Sequence, residues 1–204
     1  MKYIGLLSAS VLCLVNSGFT AKIPSDKTIK VTSGGLDIKM AAPRNGMGFV
    51  NLMPTRKQSA EFIKRPDKNN KADLWKLVMT SDVSDDKKFF GLTNLNRTGN
   101  NSAVVSDERI VLSWKNLDIP GEPDSLDVTV TIDRKGDSGF GEWRIKVVNR
   151  SKRAGIFRVI FPVMNFTKIG KSGKDDYLML PFAEGYLAND PIRIDAKGIS
   201  RSYW

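Results

Sequence analysis

The chain has 204 residues and a net charge of +10, from 32 Lys and Arg against 22 Asp and Glu, and it contains no histidine. Without histidine it lacks the commonest general base and the commonest metal ligand, which excludes Ser–His and Cys–His catalysis and His-based zinc sites. Carboxylate chemistry, lysine chemistry or no chemistry remain.

Lys2, the mostly apolar run 4–15 and the small, polar stretch 16–21 together have the form of a secretory signal peptide. The run is too short to span a bilayer, which takes about 20 apolar residues. Cys13, the only cysteine, lies inside it, and Leu12 stands where a lipoprotein carries a small residue. Residues 1–21 are therefore expected to be a signal peptide, with cleavage after Ala21 or nearer Ser17 or Gly18, and residues 22–204 a single β-sandwich domain without disulfides. Export without disulfides points to a secreted or bacterial cell-envelope protein, stabilised by its core.

Beyond the leader, apolar and polar residues alternate, as they do in strands with one buried face. Residues 27–41 predict two short strands around Gly34-Gly35, and residues 74–80 a third. Ile110, Leu112 and Trp114 alternate with polar neighbours, as do Leu126, Val128, Val130 and Ile132, and then Trp143, Ile145 and Val147. Phe157, Val159 and Phe161 line one face of a further strand with Ile156 and Ile160 on the other, which predicts a strand covered on both sides. Turn-forming clusters fall at 43–46, 94–101, 120–124, 135–141, 149–155 and 168–176. Helical periodicity is confined to about one turn at 59–64. The pattern predicts an all-β fold, an antiparallel β-supersandwich with very little helix.

The basic residues are dispersed and carry no interleaved aromatic motif, which argues against nucleic acid and for a solvated basic surface. An acidic polysaccharide is the alternative partner for that charge. Gly136-Asp137-Ser138-Gly139 looks like a serine-protease loop but has no histidine to serve it, and reads as a hairpin loop. Gly170-Lys171-Ser172 lacks the earlier glycine of a phosphate loop, since Asn165 stands there. Asp82, Asp85 and Asp86 do not have calcium-loop spacing, so neither a metal nor another cofactor is expected. Trp75, Trp114 and Trp143 sit at alternating strand positions and are expected in the core. Asn96, Asn100, Asn149 and Asn165 each begin an N-x-[ST] sequence, read as chance in a bacterial protein. Glu184 stands among apolar and aromatic residues, a setting that raises a carboxyl pKa. A complete glycoside-cleaving enzyme would need a second carboxylate, Asp190 or Asp176, in register with it.

Several segments, in this order, resemble one family. They are Asp73-Leu74-Trp75-Lys76-Leu77, Leu112-Ser113-Trp114-Lys115-Asn116-Leu117 and Trp143-Arg144-Ile145-Lys146-Val147-Val148-Asn149-Arg150-Ser151. Val159-Ile160-Phe161-Pro162 follows, then Asp176-Tyr177-Leu178-Met179-Leu180-Pro181, Glu184-Gly185-Tyr186-Leu187 and Asn189-Asp190-Pro191. Over residues 27–195 the chain is similar to the N-terminal, galactose-mutarotase-like β-supersandwich of large secreted bacterial glycoside-hydrolase-like proteins. The resemblance implies a non-catalytic module that packs against a downstream catalytic barrel of the same polypeptide, continuing past Trp204. It also implies a carbohydrate partner. Glu184, Tyr186 and Asn189 are the residues expected at the rim of a glycan cleft, and no catalytic residue is assigned. A stand-alone secreted or envelope protein that binds acidic polysaccharide is the alternative.

Overall fold

The computed structural model describes residues 20–33, 35–55, 72–81, 89–96, 99–134, 141–164, 174, 177–180 and 186–189. Within them the chain is all-β and antiparallel, with a 3-10 turn at Pro43–Asn45. The strands are β1 (Thr20–Ile23), β2 (Ile29–Ser33), β3 (Leu36–Met40), β4 (Phe49–Pro54), β5 (Lys76–Ser81), β6 (Phe89–Thr93) and β7 (Asn100–Ser106). After them come β8 (Arg109–Ile119), β9 (Glu122–Arg134), β10 (Gly141–Asn149), β11 (Ala154–Ile160), β12 (Tyr177–Leu180) and β13 (Tyr186–Asn189). The expected helical turn at 59–64 and the Asp82, Asp85 and Asp86 cluster lie outside the described residues.

One layer is a five-stranded sheet in the order β1-β7-β8-β9-β10. Its register explains its inner face. Ile23, Ala103, Leu112, Val130 and Ile145 align across all five strands, and Val105, Ile110, Ile132 and Trp143 form a parallel row. Leu112, Val130, Ile110, Ile132, Trp114 and Val128 are fully buried, as the alternation predicts. The opposing layer consists of two three-stranded sheets, β2-β3-β4 and β11-β5-β6. Aromatic pairs join the layers. Trp75 meets Trp114 edge-on at 5.5 Å between ring centroids, and Phe49 meets Trp143 at 5.2 Å. Trp75 and Trp114 are wholly buried and Trp143 packs against the same core, so the three tryptophans are core residues. At roughly 3–5 kcal/mol for truncating a buried Trp, they are major supports of the sandwich.

Two details differ from the alternation pattern. The third predicted strand starts at Lys76, because Leu74 and Trp75 are held by a side chain instead of a strand partner. β11 is covered on neither face: Ile156, Phe157, Val159 and Ile160 are 36–48% exposed. It is the edge strand of a three-stranded sheet, with β5 on one side and no partner on the other among the described residues. A residue of unusual register between Ile156 and Arg158 turns Phe157 outward to meet Phe89 at 5.0 Å.

At the other end of the chain, Thr20 and Ala21 belong to β1 and pair with Ser106 and Val105. A leader removed after Ala21 would take half of this strand with it, whereas one removed after Ser17 or Gly18 would leave it whole.

Candidate functional site

Two clefts of about 620 and 610 Å³ meet at one end of the five-stranded sheet, sharing Ser25 and Asn101 in their walls. Their floor is built by three tight pieces of backbone. Pro43 opens the 3-10 turn, with φ suited to its first position, and Gly46 closes it in the left-handed region at φ 85°, its N–H donating to Pro43 O at 3.1 Å. A Cβ at Gly46 would stand 2.5 Å from the carbonyl oxygen of Asn94, so only glycine fits. Gly99, at φ 125°, passes equally close to the Lys115 carbonyl.

The third piece is anchored by Asn94. Its side chain is fully buried and uses both ends of the amide. Oδ1 accepts the backbone N–H of Leu74 at 2.7 Å and of Trp75 at 3.5 Å, while Nδ2 donates to Gly46 O at 2.8 Å and Ala72 O at 2.9 Å. Asn94 is therefore a structural residue in the cleft wall.

Asn101 is different. In the β7–β8 register it opposes Trp114, and the same row continues through Val128 and Val147, so it takes an inward-facing position in an apolar row. β1 ends at Ile23, opposite Ala103, two residues short of Asn101. Its Nδ2 donates to Pro43 O at 3.1 Å, which ties β7 to the 3-10 turn, but its buried Oδ1 has no hydrogen-bond partner among the described residues. Around it, Asn96 uses Oδ1 to accept the Thr93 N–H at 2.8 Å, and its Nδ2 has no partner among the described residues. The side chains of Asn45 and Asn100 are exposed in the same walls.

The charge on the walls has one sign. Among the described residues Lys22, Arg44 and Lys115 line the clefts, and no Asp or Glu does. Lys115 is paired with Asp127 at 3.2 Å. Lys22 and Arg44 are exposed and make no ion pair among the described residues. The walls thus offer unused amide donors and acceptors and two available cations, a combination that suits hydroxyl-rich or anionic small molecules.

A second polar cluster lies close by and is structural. Asp127 accepts from Arg150 at 2.9–3.0 Å, from the Asn116 N–H at 2.9 Å and from Lys115 at 3.2 Å. The hydrogen bonds from Arg150, aided by Asn116 and Lys115 and opposed by desolvation, hold its carboxyl far below the ordinary value of 3.8. Arg150 also donates to the Asp124 carbonyl oxygen at 2.8 Å, so its guanidinium is anchored to β9.

The exposed face of β11-β5-β6 is the third distinctive surface. Phe89, Phe157 and Ile160 stand 39–54% exposed on its outer side, with Arg158 over the Phe157 ring at 5.8 Å. Gly91 and Gly155, in register with Val78 and Thr80, leave this face low and flat between the aromatic rings.

Of the residues expected at a glycan rim, Glu184 lies outside the described residues. Tyr186 and Asn189 are the first and last residues of β13, paired with Leu180 and Tyr177 of β12. Read from sequence, the cleft residues Lys22, Arg44, Asn45 and Asn101 have no site role, and Asn96 is marked only as the start of an N-x-[ST] sequence. The run 94–101 reads as a turn because asparagine favours turns, and only the alternation Asn101, Ala103, Val105 signals that one of these amides faces inward.

Among the described residues no group of three or more acidic, Cys or His side chains is placed to hold a metal ion, and no helix is long and apolar enough to cross a membrane. Comparison with protein-family models, with curated proteins and with solved structures finds no match to this chain.

Proposed function

We propose that the chain is a non-catalytic β-sandwich module of a secreted carbohydrate-active protein of the glycoside-hydrolase-like kind, packed through β11 against a further folded domain of the same polypeptide. The observation that carries this reading is β11 itself. Monomeric domains blunt their edge strands with charge, proline or short length, and seldom leave contiguous apolar surface open. Among the described residues β11 has no partner on one edge, four apolar side chains stand exposed in this one strand, and Phe89 extends that surface across the sheet. A neighbouring domain would cover both. The apolar leader supports export, and the order of the strand segments supports the glycoside-hydrolase-like setting. In this reading Glu184, Tyr186 and Asn189 stand at the rim of a cleft shared with the neighbour.

The test is the mass of the native secreted polypeptide, detected with an antibody to this segment, together with hydrogen exchange along β11. The expected result is a species several times heavier than 22.7 kDa in which the amides of Ile156 to Ile160 are protected. A species at or just below that mass, with freely exchanging β11 amides, would overturn the module reading. In the isolated chain, Phe89→Ser with Phe157→Ser should abolish binding of a hydrophobic dye and leave the melting temperature within about 2 °C, since exposed positions contribute little to folding.

A further inference from the structure

We infer that the twin cleft around Asn101 is a binding site for an acidic saccharide, with Arg44 and Lys22 receiving its carboxylate or sulfate and the asparagine amides receiving its hydroxyls. This inference rests on the carbohydrate reading above, and it places the contact far along the chain from Glu184, Tyr186 and Asn189.

Three observations converge on it. The first is the fixed wall where the two clefts join: Asn101 lines both, and its Nδ2 ties β7 to the 3-10 turn through Pro43 O at 3.1 Å, so the cleft is shaped before any ligand arrives. The second is the density of amides. An amide presents a donor and an acceptor side by side, which matches two adjacent hydroxyls of a pyranose ring. The side chains of Asn45 and Asn100 and the Nδ2 of Asn96 are uncommitted among the described residues, whereas Asn94 in the same wall is fully used.

The third is charge. Among the described residues the walls carry three cations and no carboxylate, which favours an anion. Lys115 is neutralised by Asp127, which leaves Arg44 and Lys22 as the receiving pair. Arg44 projects from a turn whose backbone is fixed twice, by its own N–H donating to Ser25 O at 3.0 Å and by the Asn101 bond to Pro43, so its side chain is rooted at the cleft wall. A guanidinium holds a carboxylate through two parallel hydrogen bonds, which a neutral sugar cannot match. Leu95, Ile23 and Pro24 give the apolar contact. Binding by polar and ionic contacts in an open cleft is moderate in strength and sensitive to salt.

The experiment is a titration of the isotope-labelled chain with trigalacturonate, and with galactotriose as the neutral counterpart, followed by NMR. Trigalacturonate should move the side-chain amide signals of Asn45, Asn96 and Asn101, and bind more weakly as salt is raised. Arg44→Gln combined with Lys22→Gln should cost about tenfold or more in affinity, as expected for loss of charge-assisted bonds, at unchanged melting temperature. Both side chains are exposed, so the double variant folds, and its melting curve verifies that. If trigalacturonate and galactotriose bind alike and the double variant changes neither, the acidic-saccharide site is overturned while the carbohydrate reading stands. If neither saccharide moves any signal, the site is overturned and the carbohydrate reading loses its support in this chain. Binding in the cleft by a polypeptide that proves to be no heavier than this chain would uphold the site and overturn the module.

Discussion

Asn94 reaches across twenty residues of sequence to take the backbone N–H of Leu74 at 2.7 Å, and in doing so replaces a strand neighbour with a side chain. The same amide holds the carbonyl oxygens of Gly46 and Ala72. Three loops that form the end of the sandwich are therefore joined by one buried group, and the cleft is shaped by it.

Asn94→Ala should leave the Leu74 N–H and the two carbonyl groups without partners inside the protein. At about 1–3 kcal/mol for each buried group left unpaired, partly relieved by water, the expected loss is about 3 kcal/mol, or about 6–12 °C in melting temperature for a chain of this size. Thermal denaturation followed by circular dichroism reads this directly. A shift under about 2 °C would mean that the three loops do not depend on the amide.

Asp127 makes stability depend on acid. Its folded-state pKa is depressed, by Arg150 above all, so the stabilisation is complete at pH values above its ordinary 3.8 and is lost as pH falls below that toward the folded value. Asp127→Asn should lower stability by about 1–2 kcal/mol at pH 7, a range reduced because Arg150 and Lys115 are half exposed. The two proteins should converge as pH falls below about 4, where the unfolded carboxyl begins to take up its proton. Urea unfolding at pH 7, 5 and 3 checks the sign, and a gap that widens toward acid would refute this account of Asp127.

Gly48→Ala should be among the most damaging single changes in the cleft region. A Cβ there would lie 1.8 Å from the Ala72 carbonyl oxygen, a backbone atom that cannot swing aside. The expected cost is about 2–3 kcal/mol, typical of overpacking against fixed structure. Gly121→Ala is the informative comparison, because a Cβ there meets nothing within 4 Å and only its left-handed φ of 81° resists the change. Equal melting temperatures for the two variants would show that the Gly48–Ala72 contact is not kept in solution.

Sequence alone determined the fold class and most of the core of this protein. A strand buried on one face must alternate, and the stretch from Leu126 to Ile132, the row Ile110, Leu112, Trp114, and the two strands around Gly34-Gly35 all lie where that rule puts them. The absence of histidine likewise excluded whole classes of catalysis. Tertiary structure decided the rest, because exposure and hydrogen-bond satisfaction depend on which strands become neighbours. Ile156, Phe157, Val159 and Ile160 read as a doubly covered strand, yet β11 falls at a sheet edge, where alternation says nothing about what lies beyond. Four asparagines between 94 and 101 look the same in sequence. Pairing with Trp114 turns Asn101 inward, the loop of Leu74 consumes Asn94, and the remaining amides are left to line a cleft. An amide is a turn former, a structural clamp or a ligand contact according to what the fold brings within about 3 Å of it.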